Sequence, residues 1–275
     1  MSRLILCASL WSLAGHPSPR REWTLARKLE AVREAGFAAV SGPPGLALTQ
    51  QAGAHGLRRF SAFIAPDWPA VKTGLRDCAA ERVARVNIQL GTPALTGQAA
   101  CKLAVQTWRR AEALGLRSSF ETHRGTATET PEKLTSLAAR FAQATGRLLP
   151  VTWDFSHHAV VRQIPRQEWP QQLLRDRALI TAADLFHLRP HTPHHVQVPL
   201  SQDRLLTTEA KAWLEFARTA LHLWRSDPGN AGRELFVCPE MGPRGDYALA
   251  SSPPAWPETV RLARHLRIAW RTVAS

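Results

Sequence analysis

Residues 131–154 read PEKLTSLAARFAQATGRLLPVTWD, and this stretch decides the fold. An amphipathic helix spans Pro131–Thr145, and Gly146 stands where the helix must stop. An apolar strand, Leu148–Asp154, follows at once. The glycine suits the left-handed position that ends a helix and that a side chain disfavours. The same helix–glycine–strand order recurs at Thr24–Glu34, Gly36, Phe37–Val40 and at Leu48–His55, Gly56, Phe60–Ile64. It appears again at Leu103–Leu114, Gly115, Ser118–Phe120. In the first of these helices Leu25, Leu29 and Val32 form an apolar stripe, while Arg27, Glu30 and Glu34 face away. Strands alternating with helices in this way indicate parallel βαβ units.

Eight strands are expected: Leu4–Leu10, Phe37–Val40, Phe60–Ile64, Val86–Leu90, Ser118–Glu121, Leu148–Asp154, Ala182–His187 and Glu234–Glu240. A helix over Pro257–Val273 closes the chain, with Val260, Leu266 and Trp270 inward and Arg261, Arg264 and Arg271 on other faces. A (β/α)8 barrel uses about 250 residues as one domain. Residues 1–275 are therefore read as a single α/β barrel domain, since no linker or low-complexity segment divides them. The segment Leu188–Thr207, rich in Pro and His, is longer than a usual connection and reads as a functional loop.

Composition excludes other classes. Hydrophobic residues make up 44% and charged residues 21%, which is ordinary for a globular protein. No run of about 20 apolar residues suggests a spanning helix. Lys+Arg number 35 against 22 Asp+Glu, a net charge of +13, and only five of the cations are lysines. The arginines are spread along the chain. No basic run exceeds the pairs Arg20-Arg21, Arg58-Arg59 and Arg109-Arg110, so no specific nucleic-acid partner is expected. Cys7, Cys78, Cys101 and Cys238 share no C-x-x-C spacing and read as reduced thiols of a cytoplasmic protein. Arg3 followed by Leu4–Gly15 has the outline of a short export signal, but the same residues serve as a first buried strand. P-loop, dinucleotide-binding and G-x-S-x-G motifs are absent, and Arg244-Gly245-Asp246 is a chance tripeptide.

The chemistry lies at the ends of the last four barrel strands. These run into Glu121, Asp154, His187 and Glu240, separated by 33, 33 and 53 residues. Two gaps match one βα unit each, and the third matches one unit plus the long loop. In a parallel barrel all strand C-termini reach one rim, where active sites are built. Three carboxylates gathered there raise one another's pKa, and a divalent cation resolves the conflict. Three oxygens and one imidazole suit one Mn²⁺ or Mg²⁺ ion, with Co²⁺ or Zn²⁺ as alternatives. His123, two residues past Glu121 on an extended strand, faces the same side and is a candidate substrate contact. His158, His191, His194 and His195 belong either to a second metal site or to an ordinary loop. Gln89, Trp11 and Trp153 are candidate pocket walls, with core burial the alternative for the tryptophans.

Glu121-Thr-His-Arg-Gly-Thr126, Asp154-Phe-Ser-His157, His187-Leu-Arg189 and Pro239-Glu-Met-Gly-Pro243, with the helix exit Glu34-Ala-Gly-Phe37, resemble the xylose isomerase-like TIM-barrel superfamily. Within it they resemble the sugar phosphate isomerase/epimerase branch. The resemblance implies that Glu121, Asp154, His187 and Glu240 bind one divalent metal. It also implies that Glu121 and Glu240 flank the reacting carbon as the catalytic pair. His157 would touch substrate, and Arg189 would pair with an anionic group of it. The expected activity is isomerisation or epimerisation of a sugar, polyol or hydroxy-ketone, with a homo-oligomer left open. Two rival readings keep the fold: an abasic-site endonuclease-like phosphodiesterase and a non-catalytic barrel. Against the first, the earlier strand ends Phe63-Ile-Ala-Pro66 and Gln89-Leu-Gly-Thr92 lack its extra histidines, and Arg189-Pro-His191 stands where it has a D-x-H pair.

Overall fold

The computed structural model describes residues 2–83, 85–203, 205–243, 247–249 and 252–272. Its centre is a closed barrel of eight parallel strands. These are β1 (Arg3–Ser9), β2 (Ala39–Gly42), β3 (Arg58–Ala65), β4 (Arg85–Leu90), β5 (Arg117–Glu121), β6 (Val151–Asp154), β7 (Leu185–Leu188) and β10 (Glu234–Pro239). Neighbours follow in chain order, and β1 closes against β10. A two-residue antiparallel ladder, β8 (Ser201–Gln202) with β9 (Leu205–Leu206), lies outside the barrel in the long segment after β7.

All eight expected strands form, and the export-like segment is the first of them. Three strands start later than expected: β6 at Val151 rather than Leu148, and β2 and β7 because helix exits claim residues first. The Phe37 N–H bonds back to the Val32 carbonyl, closing the helix α1 (Leu25–Glu34), so β2 begins only at Ala39. The Ala183 N–H likewise bonds to the Ile180 carbonyl at the end of the helix Arg177–Ala182, so β7 begins at Leu185. Gly36, Gly56, Gly115 and Gly146 all take positive φ, between +68° and +78°. The last helix runs Ala255–Thr272 with Leu266 and Trp270 buried, while Val260 is only half-buried. Val273 and Arg244-Gly245-Asp246 lie outside the described residues. No helix among the described residues is long and apolar enough to cross a membrane.

Period-2 alternation sorts the strands' side chains. Val86, Ile88 and Leu90, Phe120, Trp153, Phe186, and Leu235 and Val237 join the large cluster under the helices. The other face forms the barrel interior. There Cys7, Ala39, Phe60, Leu185, Phe236 and Cys238 make a separate apolar plug. Below the plug, Asp184 and Glu234 bind Arg85, Arg117, Arg233, Arg3 and Arg58. Above it, the strands end on the acidic residues and histidine that the sequence singles out.

Candidate active site

Adjacent strands bring Glu121, Asp154, His187 and Glu240 together. In the ladder Asp154 pairs with His187, and His187 pairs with Cys238, two residues before Glu240. One donor atom from each of the four lies within 4.8 Å of the others. This donor set fits a divalent cation, with three carboxylates, an imidazole and an unpartnered buried nitrogen, Nε2 of His187. His191, His194 and His195 belong to no such group among the described residues. His191 is buried against Trp169, 4.5 Å between ring centres, and His194 and His195 are exposed. His158 is buried with Nε2 at 2.8 Å from the Thr128 carbonyl, and burial lowers its pKa to about 4.

The two glutamates differ. Glu121 is 2% exposed and is held by Asn87 Nδ2 at 2.7 Å and Gln89 Nε2 at 3.2 Å, both on Oε2. His187 Nδ1 lies 3.2 Å from its other oxygen. Burial alone would raise its carboxyl pKa, but the charge and hydrogen bond of His187 bring it down to about 2. Glu240 is freer. Its Oε2 lies 3.4 Å from His187 Nδ1 and 3.5 Å from Arg189 Nη2, and it lines the cavity. Burial opposes a charge on His187 as well, yet Glu240 and Glu121 hold its pKa well above the ordinary value.

Asp154 carries two duties. As the last residue of β6 it caps the next helix, with Oδ1 accepting from the Ser156 N–H at 3.0 Å. Its Oδ2 accepts from Arg189 Nη2. Burial works against its charge, but Arg189, then His157 and His187, hold its carboxyl well below the usual range. Arg189 Nε also donates to Ser156 Oγ at 3.2 Å, and the guanidinium lies 5.1 Å from the Tyr247 ring centre and 5.9 Å from that of Trp11. The chain thus supplies part of the positive charge that three carboxylates require. A metal ion on Asp154 Oδ2 must share it with Arg189 or displace the guanidinium.

A cavity of about 830 Å³ opens above these groups. Leu10, Trp11, Pro43 and Phe63 make its apolar wall; Asn87, Gln89, His123, Arg189 and Glu240 face them. Of the candidate substrate contacts, His123 lines the cavity. His157 is fully buried behind it, 3.9 Å between ring centres, with Nε2 at 3.4 Å from Asp154 Oδ2. Arg189 lines the cavity while its charge is committed to Asp154. Trp153 is buried outside the barrel, whereas Trp11 packs on Gly242, where a Cβ would fall 2.1 Å from its ring. Sequence reasoning missed Asn87 and Tyr247. Asn87 was detectable, because it shares the inward face of β4 with Gln89. Tyr247 meets Trp11 edge to face at 5.0 Å and His123 Nε2 at 3.3 Å only through tertiary packing.

No protein-family model matches this sequence, and no curated protein does. Solved structures do. A magnesium complex of a xylose isomerase-like TIM-barrel protein from Mycobacterium smegmatis aligns with a TM-score of 0.58 and 14% identity, over 98% of this chain and 97% of that one. D-Psicose 3-epimerase from Clostridium cellulolyticum H10, solved with D-tagatose, aligns at 0.57 and 11%, over 98% and 96%. A fusion of a xylose isomerase-like TIM barrel with 4-hydroxyphenylpyruvate dioxygenase aligns at 0.57 and 14%, and this chain spans 43% of its length. The structural neighbours are thus xylose isomerase-like TIM barrels, sugar epimerases among them, and at these identities the likeness is one of fold.

Proposed function

We propose that the protein is a divalent-metal-dependent isomerase or epimerase of a sugar or related polyol or hydroxy-ketone. The observation that carries this is the convergence of four donor atoms within 4.8 Å beneath a cavity that Glu240 lines. The neighbour that binds D-tagatose and the neighbour that binds magnesium support the same reading. A cation held by Glu121, Asp154, His187 and Glu240 supplies Lewis acidity, which polarises a carbonyl and acidifies the adjacent C–H.

The residues divide the remaining work. Glu240, reachable from the cavity, takes the proton from the carbon beside the carbonyl. Returned by Glu240 to the former carbonyl carbon after partial exchange with solvent, that proton completes an isomerisation, with the hydroxyl proton of the first carbon passing to the former carbonyl oxygen. For an epimerisation Glu121, having first taken up a proton from solvent, delivers it to the opposite face, and the proton on Glu240 returns to solvent. Asn87 and Gln89 fix the Glu121 carboxylate in one orientation. His123 contacts substrate hydroxyls, His157 backs it, and Arg189 holds Asp154 in place. The apolar wall of Leu10, Trp11 and Phe63 excludes water from the reacting carbon.

The test is a panel of ketoses and inososes assayed in deuterated water with added Mn²⁺ or Mg²⁺. Wild-type protein should place solvent deuterium at the reacting carbon. Glu240→Gln should lose that exchange by about 10³-fold, within the range of general-base effects, while its thermal unfolding stays near wild type. Exchange undiminished in the variant overturns the assignment of the base. Metal-dependent nicking of an abasic duplex at physiological salt overturns the isomerase reading.

A further inference from the structure

The four cysteines fall in unlike places. Cys78 lies on the helix Trp68–Ala80, outside the barrel and within its outer apolar cluster, and Cys101 is half-buried on the helix Gly97–Ala113. Cys7 and Cys238 sit inside the barrel on the adjacent strands β1 and β10, in contact with one another. Cys238 is fully buried, is paired in register with His187, and lies two residues before Glu240 on the same inward face. Its Sγ, a ring nitrogen of His187 and a carboxylate oxygen of Glu240 lie within 4.8 Å of one another.

We propose that Cys238 is a ligand of the cation that His187 and Glu240 hold, so that the centre prefers a thiophilic divalent ion, Zn²⁺ or Co²⁺, over Mg²⁺. The proposal rests on the metal-dependent reading above and narrows its cofactor. Four features carry it. The His187–Cys238–Glu240 trio supplies nitrogen, sulfur and oxygen, the donors tetrahedral zinc takes, and three protein ligands leave the fourth position for substrate. Ligand bonds of about 2.0–2.3 Å place such donors roughly 3.5 Å apart, and the donor atoms of the trio already lie within 4.8 Å of one another. Asp154, the competing oxygen ligand, already has both oxygens engaged, by the Ser156 N–H and by Arg189. The second ring nitrogen of His187, Nε2, is buried without a hydrogen-bond partner. As the sulfur–metal bond forms, the Cys238 thiol proton passes to solvent. The thiolate and the Glu240 carboxylate then balance the 2+ charge, Asp154 and Arg189 neutralise each other, and the charge on Glu121 rests on the amides of Asn87 and Gln89.

The test is spectroscopic and needs no substrate. Metal-free protein is titrated with Co²⁺, and the thiolate-to-cobalt charge-transfer band in the near ultraviolet is followed. Wild type and Cys78→Ser should both show the band. Cys238→Ser should lose it while binding Co²⁺ at least 10-fold more weakly. X-ray absorption of Zn²⁺-loaded wild-type protein requires no variant, and one sulfur at about 2.3 Å is expected. A cobalt complex without the band, or a zinc shell of nitrogen and oxygen alone, overturns the thiol ligand and leaves the carboxylate–histidine centre standing. Protein that binds neither ion overturns both readings.

Discussion

The two mouths of one barrel are built from the same residue types, arginine and carboxylate, in opposite ratios. At the floor, Asp184 accepts from Arg85, Arg117 and Arg233, and Glu234 accepts from Arg3 and Arg58. Cations exceed acids there, and the pairs are wet: the side chains of Asp184 and Glu234 are 24% and 21% exposed. At the opposite rim, Glu121, Asp154 and Glu240 share one arginine and two histidines, His187 and His157, and the Asp154 and Arg189 side chains are each 1% exposed. Solvated pairs contribute little individually, whereas a buried charge is costly once its partner is removed. The floor therefore ties strand ends together. The rim stores an electrostatic deficit that a cation can fill.

The comparison breaks most visibly at Arg189. Arg189→Met should destabilise the metal-free protein by about 3–5 kcal/mol, because Asp154 loses its charged partner in a dry site. Thermal or denaturant unfolding measures the loss. Added Zn²⁺ or Mn²⁺ should restore part of it, through binding to the folded state alone. A loss below 1 kcal/mol, or no metal response, would erase the proposed contrast between the two ends.

A smaller effect is expected at Asp184. Burial raises its pKa, but Arg85 foremost, with Arg117 and Arg233, more than offsets this, so the folded value lies below 3.8. A depressed carboxyl pKa adds stability that is fully present above the unfolded value and lost as pH falls through the folded one. Asp184→Asn should cost about 2 kcal/mol at neutral pH. It should also remove part of the stability loss that wild type shows on acidification below about pH 4. Equal acid sensitivity in both proteins would mean that the floor network contributes nothing.

The smallest change is expected at Arg117, whose side chain is 66% exposed. Arg117→Ala should cost less than about 1 kcal/mol, decrease further in high salt and leave cation binding unchanged. A larger loss would make the floor resemble the rim.

Local chemistry carried much of this into the sequence. Helix exits at Gly36, Gly56, Gly115 and Gly146 and apolar alternation specify the eight strands, because both signals depend on neighbours within one or two turns of chain. The parallel βα repeat then sends Glu121, Asp154, His187 and Glu240 to one rim, since strand direction alone determines where a strand ends. Arg189 shows where local reading stops. Two residues past His187 it reads as a loop arginine available to substrate, yet it closes on Asp154, 35 positions earlier, across neighbouring strands. The contact of Cys238 with Cys7, the clasp of Asn87 and Gln89 on Glu121 and the placement of Tyr247 over His123 are of the same kind. Each depends on strand register and barrel closure, which place side chains dozens of residues apart within a few ångströms. Charge pairing and desolvation act over those distances, so the partners of the buried groups emerge only when the barrel closes.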